Sequence, residues 1–462
     1  MSQIMNVLIA GVGGQGTLLT SRIIAQVAVD LGYDVKVTEV HGMAQRGGSV
    51  VSEVRYGEKV YSPTIPKGQA DVLLAFEKLE AARWLGADRL GSPALPPQWL
   101  QLAASDRYQH VILLVIDGLG LRLFKRFLSS DPWASWIQAG ALAPLTSVTP
   151  STTSAALTTL WTGCPPAEHG IIGFDLWLKE FGMVGNMIFH SPTAFSGDTG
   201  SLKRAGFQPE TFLPVPTLGT HLARQGIKVF SFQHNAIARS GLSTMLLPDV
   251  ETLGYRTLTD LWVTLASVQD SLPGERSYTY VYYGDLDELS HRYGPEDERV
   301  LLEFSAFTHL LERFLQKLAK KKRGDTLFLM VADHGQVYTP HVSNFELRNH
   351  PEFMRHLAIQ PTGEARLPYL FLRSGREQAV RDYLEQVWSG QFIMLPGEQV
   401  LQAGLLGNGN IYARTYDRLG DWVVIPQGNA YWWFPDRENP LLGRHGGLSQ
   451  AEMLVPLFLL TV

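Results

Sequence analysis

HVILLVIDGLG, residues 110–120, is an unbroken apolar run that closes on Asp117 and two glycines. A strand buried on both faces of a parallel sheet reads this way, because neither face meets water and no polar alternation is needed. In such sheets the carboxyl ends of the strands carry the chemistry, so Asp117 is the first candidate functional residue. DTLFLMVADHG, residues 325–335, repeats the arrangement and ends on Asp333 and His334. Between the two, the segment from Glu298 to Lys322 places Val300, Leu301, Phe304, Phe307, Leu310, Leu311, Phe314 and Leu318 on one helical face, which predicts a core-docked helix. Its KLAKKKRGD tail is favourable at a helix C-terminus and reads as a solvated face. The class is therefore α/β.

The remaining bounds come from composition. A chain of 462 residues with 45% hydrophobic and 18% charged content has material for two or three domains. A formal net charge of -5 without a long basic stretch argues against nucleic acid as a partner, and leaves small anions open if cations are held locally. The single cysteine, Cys164, excludes an internal disulfide framework and cannot alone build a zinc or iron–sulfur site. Any metal must then be held by oxygen and imidazole. No apolar run approaches the roughly 20 residues that span a bilayer, and MSQIMNVLIAGVGGQG lacks a charged n-region. No membrane partner and a cytoplasmic location are the expectations.

The first segment reads as strand, glycine turn, helix and strand: NVLIA from Asn6, GVGGQG from Gly11 to Gly16, an apolar-periodic stretch from Thr17 to Leu31, then YDVKVTEV from Tyr33. That is a partial Rossmann-like βαβ segment. SVVSEVRYG from Ser49 and DVLLAFE from Asp71 add two more strands. Gly11, Gly13, Gly14 and Gly16 form a possible phosphate loop, although a tight strand-to-helix turn needs glycine whether or not phosphate binds. GADRLGSPALPPQW, from Gly86, stops any helix with its prolines. The expected domains are residues 1–86, a linker at 87–108, and residues 109–462, with the Trp-, Tyr- and Gly-rich stretch 340–440 as a cap over the site.

Asp and His recur just after apolar strands. Asp117 and the Asp333–His334 pair are joined by Asp287 and His291 in YGDLDELSHRYGP and by His445 in GRHGGLS. Three carboxylates and three imidazoles can supply three ligands to each of two divalent ions, with donors that suit zinc or manganese. The spacing of Asp287 and His291 sets both one helical turn apart on one face. Taken singly, an aspartate after a strand is more often a cap or turn residue, and a lone histidine is more often structural. TPSTTSAALTTLWTGCPPAEHGIIG, residues 149–173, opens a helix with small polar residues, and a helix N-terminus is a ready phosphate site. Thr152 and Thr153 can also be an ordinary N-cap pair.

In their order, IDGLG, PSTT followed by Thr162-Gly163, EHGIIGF, DELSHRYGP, ADHG and HGG resemble the alkaline phosphatase superfamily, and in particular its nucleotide pyrophosphatase and phosphodiesterase branch. The resemblance spans nearly all of residues 109–462. It implies an alkaline-phosphatase-like α/β/α sandwich with a mostly parallel central sheet. It implies further a threonine nucleophile at Thr153, one divalent metal on Asp117, Asp333 and His334, and a second on Asp287, His291 and His445. Zinc, or else manganese, is the expected metal, and a small phosphate ester is the expected substrate. Members of the branch often carry an asparagine where this chain has Phe174, and Asn186 is the alternative candidate for that contact. Phosphomonoesters and phosphonates are the alternative substrates.

GVGGQG and EVHGMAQRGGSVVSEVRYG, residues 39–57, together resemble the gamma domain of pyruvate, ketoisovalerate and indolepyruvate ferredoxin oxidoreductases. That domain normally runs to about twice the length found here. The resemblance implies a half-length domain fused to a hydrolase. It also implies a competing role as an oxidoreductase subunit acting on 2-oxoacids, docked to partner chains through residues 1–86.

Overall fold

The structure is a computed structural model, and it describes residues 4–12, 17–41, 49–65, 70, 72–75, 108–194, 198–272, 274–320 and 324–462. Gly13, Gly14, Gly16 and nearly all of the expected linker lie outside the described residues. The chain divides into two compact units, Met1–Leu102 with Gln399–Asn408, and Ala103–Glu398 with Gly409–Val462.

In the first unit, β1 (Met5–Val12), α1 (Thr17–Asp30) and β2 (Asp34–His41) follow the expected strand–helix–strand order, and Gly11 lies within β1. β3 (Ser49–Gly57) and β4 (Val72–Ala75) complete a four-stranded sheet of order β2-β3-β1-β4. β1 and β2 are not neighbours. β3 lies between them and is antiparallel to both, while β4 pairs parallel with β1 on the other side. Val7, Ile9 and Val54 form the small core of this sheet.

The second unit is organised by a seven-stranded sheet. Its strands are β5 (His110–Ile116), β6 (Ala141–Thr146), β10 (Lys228–His234), β11 (Glu251–Tyr255), β12 (Ser277–Tyr283), β13 (Thr326–Val331) and β20 (Leu454–Thr461). The order is β11-β10-β12-β5-β13-β20-β6. The first five run parallel, and β20 enters antiparallel between β13 and β6. HVILLVI is therefore the central strand, flanked by β12 and β13, and Ile112, Leu114, Val115 and Ile116 are fully buried.

Helix α3 (Leu258–Asp270) and the long helix α5 (Glu298–Ala319) pack together beside this sheet, and both contribute to its apolar core. On α5 the buried positions are Val300, Phe304, Phe307, Thr308, Leu311, Phe314, Leu315 and Leu318, and Leu301 and Leu310 flank them. This is the face that the apolar spacing predicts. Phe304 meets Phe124, Phe127, Trp133 and Phe307 at ring separations of 6.1, 4.8, 5.8 and 6.4 Å.

Residues 340–440 do not stay irregular. They supply β15 (Thr362–Glu364), β16 (Leu367–Leu370), β17 (Phe392–Pro396) and β18 (Trp422–Pro426), which join β7 (Asp175–Leu178), β8 (Met183–Asn186) and β9 (Ser191–Pro192) in a second, antiparallel sheet. Phe353, Trp388 and Trp432 build a separate apolar core there. Among the described residues no helix is long and apolar enough to cross a membrane.

Because Phe304 is wholly buried among aromatic rings, Phe304→Ala should leave a cavity and cost about 3–5 kcal/mol. A loss of that size in the unfolding free energy from urea titration, with the native circular dichroism retained, is the expected outcome.

Candidate active site

The sheet register sets the site. Val115 of β5 pairs with Val331 of β13, so Asp117 and Asp333 stand side by side, each two residues further on. Their neighbour is α4 (Asp285–Tyr293), which follows β12 after Gly284 and carries Asp287 in its first turn and His291 one turn later. Gly118, at φ 74°, makes this approach possible, because a Cβ there would stand 3.1 Å from the Asp287 backbone.

The six side chains singled out in the sequence lie together. His334 Nε2 is 3.3 Å from Asp117 Oδ1 and 3.5 Å from Asp333 Oδ2. His291 Nε2 is 3.3 Å from Asp287 Oδ2 and 3.2 Å from His445 Nε2, and His445 Nε2 is 3.9 Å from Asp287 Oδ1. The rings of His334 and His445 stack at 3.7 Å and so join the two groups. Ligand atoms converge in two triads, Asp117–Asp333–His334 and Asp287–His334–His445, with His291 beside the second.

Hydrogen bonds fix the tautomers. The Nδ1–H groups of His334, His291 and His445 donate to the carbonyls of Gly335, Gly443 and Ser151 at 3.1, 2.8 and 3.0 Å. Each Nε2 is then the ring atom turned into the cluster, and carbonyl support of this kind is what metal-binding imidazoles use. The His291 and His445 Nε2 atoms face each other, and Asp117 Oδ1 and Asp333 Oδ2 are buried without hydrogen-bond partners. Burial, and then the Asp287 and Asp333 charges, push the Asp117 carboxyl well above its ordinary range. Burial likewise raises Asp333, against the pull of His334. Burial, with His334 and His291 nearby, holds His445 well below the usual imidazole value. Carboxylate oxygens and imidazole nitrogens that converge in this way are a donor set that suits divalent cations.

Thr153 stands at the edge of this cluster. It is the first residue of α2 (Thr153–Thr162), and its hydroxyl donates to Asp117 Oδ2 at 3.3 Å and lies 3.2 Å from His334 Nε2. Thr152 takes the N-cap position, yet its hydroxyl does not cap the helix. Glu364 of β15 interacts with that hydroxyl and accepts the Phe174 N–H at 2.8 Å. Burial lifts the Glu364 carboxyl to about 8.

Several contributors have no signature in the sequence. The Tyr282 hydroxyl donates to Asp117, and the Gln336 amide donates to Asp287. The loop after His445 is cast by a buried ion pair, in which Arg366 grips Glu452 at 3.0 and 2.8 Å while Glu452 accepts the Gly447 N–H at 2.9 Å. The Tyr282, Gln336 and Arg366 contacts join distant segments, so no local spacing could announce them; Glu452 alone has a local sign, the Ser449-x-x-Glu452 capping box. Phe174 is partly exposed and Asn186 is not at the cluster; the Asn186 amide binds Asp175 and accepts the Ile188 and Phe189 N–H groups.

Residues 111–448 match the type I phosphodiesterase / nucleotide pyrophosphatase family, and residues 6–92 match the pyruvate ferredoxin/flavodoxin oxidoreductase family. Among solved structures, mouse ectonucleotide pyrophosphatase / phosphodiesterase 5 superposes with a TM-score of 0.57 at 17% identity, over 76% of this chain and 87% of that one. Its inactive threonine-to-alanine form in complex with AMP gives 0.56 at 16%, over the same shares of 76% and 87%. Phosphonoacetate hydrolase from Sinorhizobium meliloti 1021, with phosphonoformate, gives 0.53 at 18%, over 75% of this chain and 89% of that one. In sequence, the indolepyruvate oxidoreductase subunit IorB of Thermococcus kodakarensis is 51% identical over 80 residues, which is 17% of this chain and 40% of that subunit. The Methanothermobacter thermautotrophicus subunit is 54% identical over 80 residues, again 17% and 40%. The chain thus spans only about 40% of the length of these curated relatives.

The match over most of the chain and the shared α/β fold define a phosphoester hydrolase. More narrowly, the chain belongs to the type I phosphodiesterase / nucleotide pyrophosphatase family, and it carries an oxidoreductase-type segment ahead of the family's own region.

His169, inside EHGIIGF, has a structural duty. Its Nδ1 accepts the Ile171 N–H at 3.1 Å, so Nε2 carries the proton toward Thr159 Oγ1, also at 3.1 Å. Burial holds it neutral, with its pKa lowered to about 3. The folded value lies below the unfolded one of about 6.5, so its contribution is complete above that pH and is lost as pH falls toward 3. His169→Gln keeps an acceptor and a donor, and should flatten the decline of the urea midpoint between pH 6.5 and 4.

Proposed function

We propose that this protein hydrolyses phosphate esters, of the phosphodiester type, with Thr153 as the nucleophile. In this reading Asp117, Asp333 and His334 hold one divalent cation, and Asp287, His291 and His445 hold a second. The observation that carries it is the convergence of the Nε2 atoms of His334, His291 and His445 with the carboxyl groups of Asp117, Asp333 and Asp287 beside the first residue of α2. Zinc and manganese accept such mixed oxygen and imidazole donors. When bound, divalent cations supply charge neutralisation for the phosphoryl group and lower the pKa of a nearby hydroxyl.

The chain's own groups do the rest. The N-terminal turn of α2 places the positive end of a helix dipole and free backbone N–H groups beside the phosphoryl oxygens. Thr153 Oγ1 attacks phosphorus in line, the bond to the leaving oxygen breaks, and the phosphoryl group passes to the threonine as an ester. Water then hydrolyses the phosphothreonine and restores the hydroxyl. Tyr282 and Gln336 hold Asp117 and Asp287 in place, and the Arg366–Glu452 pair holds the His445 loop. That a structural neighbour is inactive as a threonine-to-alanine form, and takes AMP in that form, supports the role given to Thr153. We assign this activity to residues 109–462, with residues 340–440 contributing a cap.

Thr153→Ala should lower kcat/KM toward 4-nitrophenyl phosphodiesters by roughly a thousandfold or more while bound metal, read by elemental analysis, stays at the wild-type level. Chelation should remove activity, and zinc or manganese should restore it. Wild-type turnover in Thr153→Ala would end the assignment.

The first unit supports a second, separate reading. Its similarity to IorB over 80 residues favours docking onto chains of a 2-oxoacid ferredoxin oxidoreductase through residues 1–86. Copurification of such subunits with the full chain, lost on deletion of residues 1–86, is the expected result.

A further inference from the structure

Thr152 holds the N-cap position of α2 with the extended backbone usual there, φ -138° and ψ 148°, yet no side-chain cap hydrogen bond forms. A threonine in that place ordinarily turns its hydroxyl back to accept an N–H of the first helical turn. Here the hydroxyl meets Glu364 instead. Thr152 is 1% exposed, so water does not compete for it. The first-turn N–H groups have no partner inside the helix, and without a side-chain cap they stay open to an anion next to Thr153.

Three contacts hold Glu364 where it can do this. It lies in β15 and pairs with Leu367 of β16. Its carboxyl accepts the Phe174 N–H at 2.8 Å. Its stem packs against Gly446, which stands at φ 101°: a Cβ there would lie 2.6 Å from Glu364 Cβ and 2.7 Å from Cγ. Gly446 is in turn tied to the segment that leads into α2. Its N–H donates to the Ser151 carbonyl at 2.9 Å, and the Ser151 hydroxyl donates to the Gly447 carbonyl at 2.8 Å. Glu364 is thus buried between the segment that enters α2 and the loop that follows His445. Packing alone would need no polar atoms at that place, and burying them costs free energy unless they are used.

Resting on the function proposed above, we propose that Glu364 is a positioning residue: it draws the Thr152 hydroxyl away from α2 and so keeps the first-turn N–H groups free to bind a phosphoryl oxygen beside Thr153.

The test is calorimetric binding of inorganic phosphate to the zinc-loaded full chain. Glu364→Met keeps the length that packs against Gly446 but releases the Thr152 hydroxyl to cap α2, and should weaken phosphate binding roughly fivefold, the usual strength of such a cap. Adding Thr152→Val removes the hydroxyl and should restore most of that loss. Two merely structural contacts would behave in the opposite sense, with the second change adding to the first. Glu364→Gln can still engage both Phe174 and Thr152, and should bind phosphate at least threefold more tightly than Glu364→Met. Zinc content, read by elemental analysis, should stay at the wild-type level throughout.

Phosphate bound at full strength by Glu364→Met, a double variant no better than Glu364→Met, or loss of zinc from Glu364→Met would each overturn the proposal. Should Glu364→Met fail to fold, Thr152→Asn decides. Its longer side chain can cap α2 with Glu364 in place, so roughly fivefold weaker binding is expected and wild-type binding overturns the proposal. If the wild-type chain hydrolyses no ester but phosphate binding follows this pattern, the hydrolytic reading fails and the role of Glu364 stands. Ester hydrolysis without the pattern has the reverse meaning.

Discussion

Two carboxylates that cannot both be comfortable as anions stand at the centre of this molecule. Asp117 and Asp333 end neighbouring parallel strands in matched register, and both are buried. Desolvation and mutual repulsion work against them together, and removing either charge from water without a counter-charge is costly. The surrounding structure is arranged around that conflict. Tyr282 donates to one of them, the Gly118 N–H to the other at 3.2 Å, and His334 Nε2 lies 3.3 and 3.5 Å from the two carboxyl groups. An arrangement so poor in isolation is a sign of function, since proteins place such strain where chemistry needs it.

The stability that tolerates this conflict comes from elsewhere in the unit. The aromatic packing of Trp133, Phe304 and Phe307 against the sheet, and the second core around Trp388 and Trp432, are apolar and distant from the cluster. Polar contacts also hold the cluster in place. Arg366 and Glu452 are buried as a pair, and their bidentate contact fixes a loop that carries one imidazole. Removing either partner would leave a buried charge without its complement, so the loop geometry and local stability are set by the same contact.

Much of this could be read from the sequence, and for physical reasons. A strand buried on both faces must be continuously apolar, so HVILLVI and TLFLMV declared themselves, and the residue that ends such a strand must sit at the sheet's functional edge. The face of α5 was equally legible from spacing. The six candidate ligands were visible because each follows a recognisable element, and they do lie together. What stayed hidden is non-local. The insertion of β3 between β1 and β2 depends on pairing, which periodicity does not encode, and the antiparallel sheet of residues 340–440 joins strands from the hairpin at Asp175. Tyr282 and Glu364 stand in stretches with no motif of their own. Only the approach of distant segments makes them neighbours of Asp117 and Thr152.

The placement of β20 has a consequence for how the chain is made. Leu142 of β6 faces Phe458 of β20, and β20 in turn is the only bridge between β6 and β13. As the polypeptide emerges from the ribosome, β6 has no strand partner among the described residues until the intervening sequence has been synthesised. Assembly of the sheet is therefore a late event, and its long loop closure slows folding while apolar edges remain exposed.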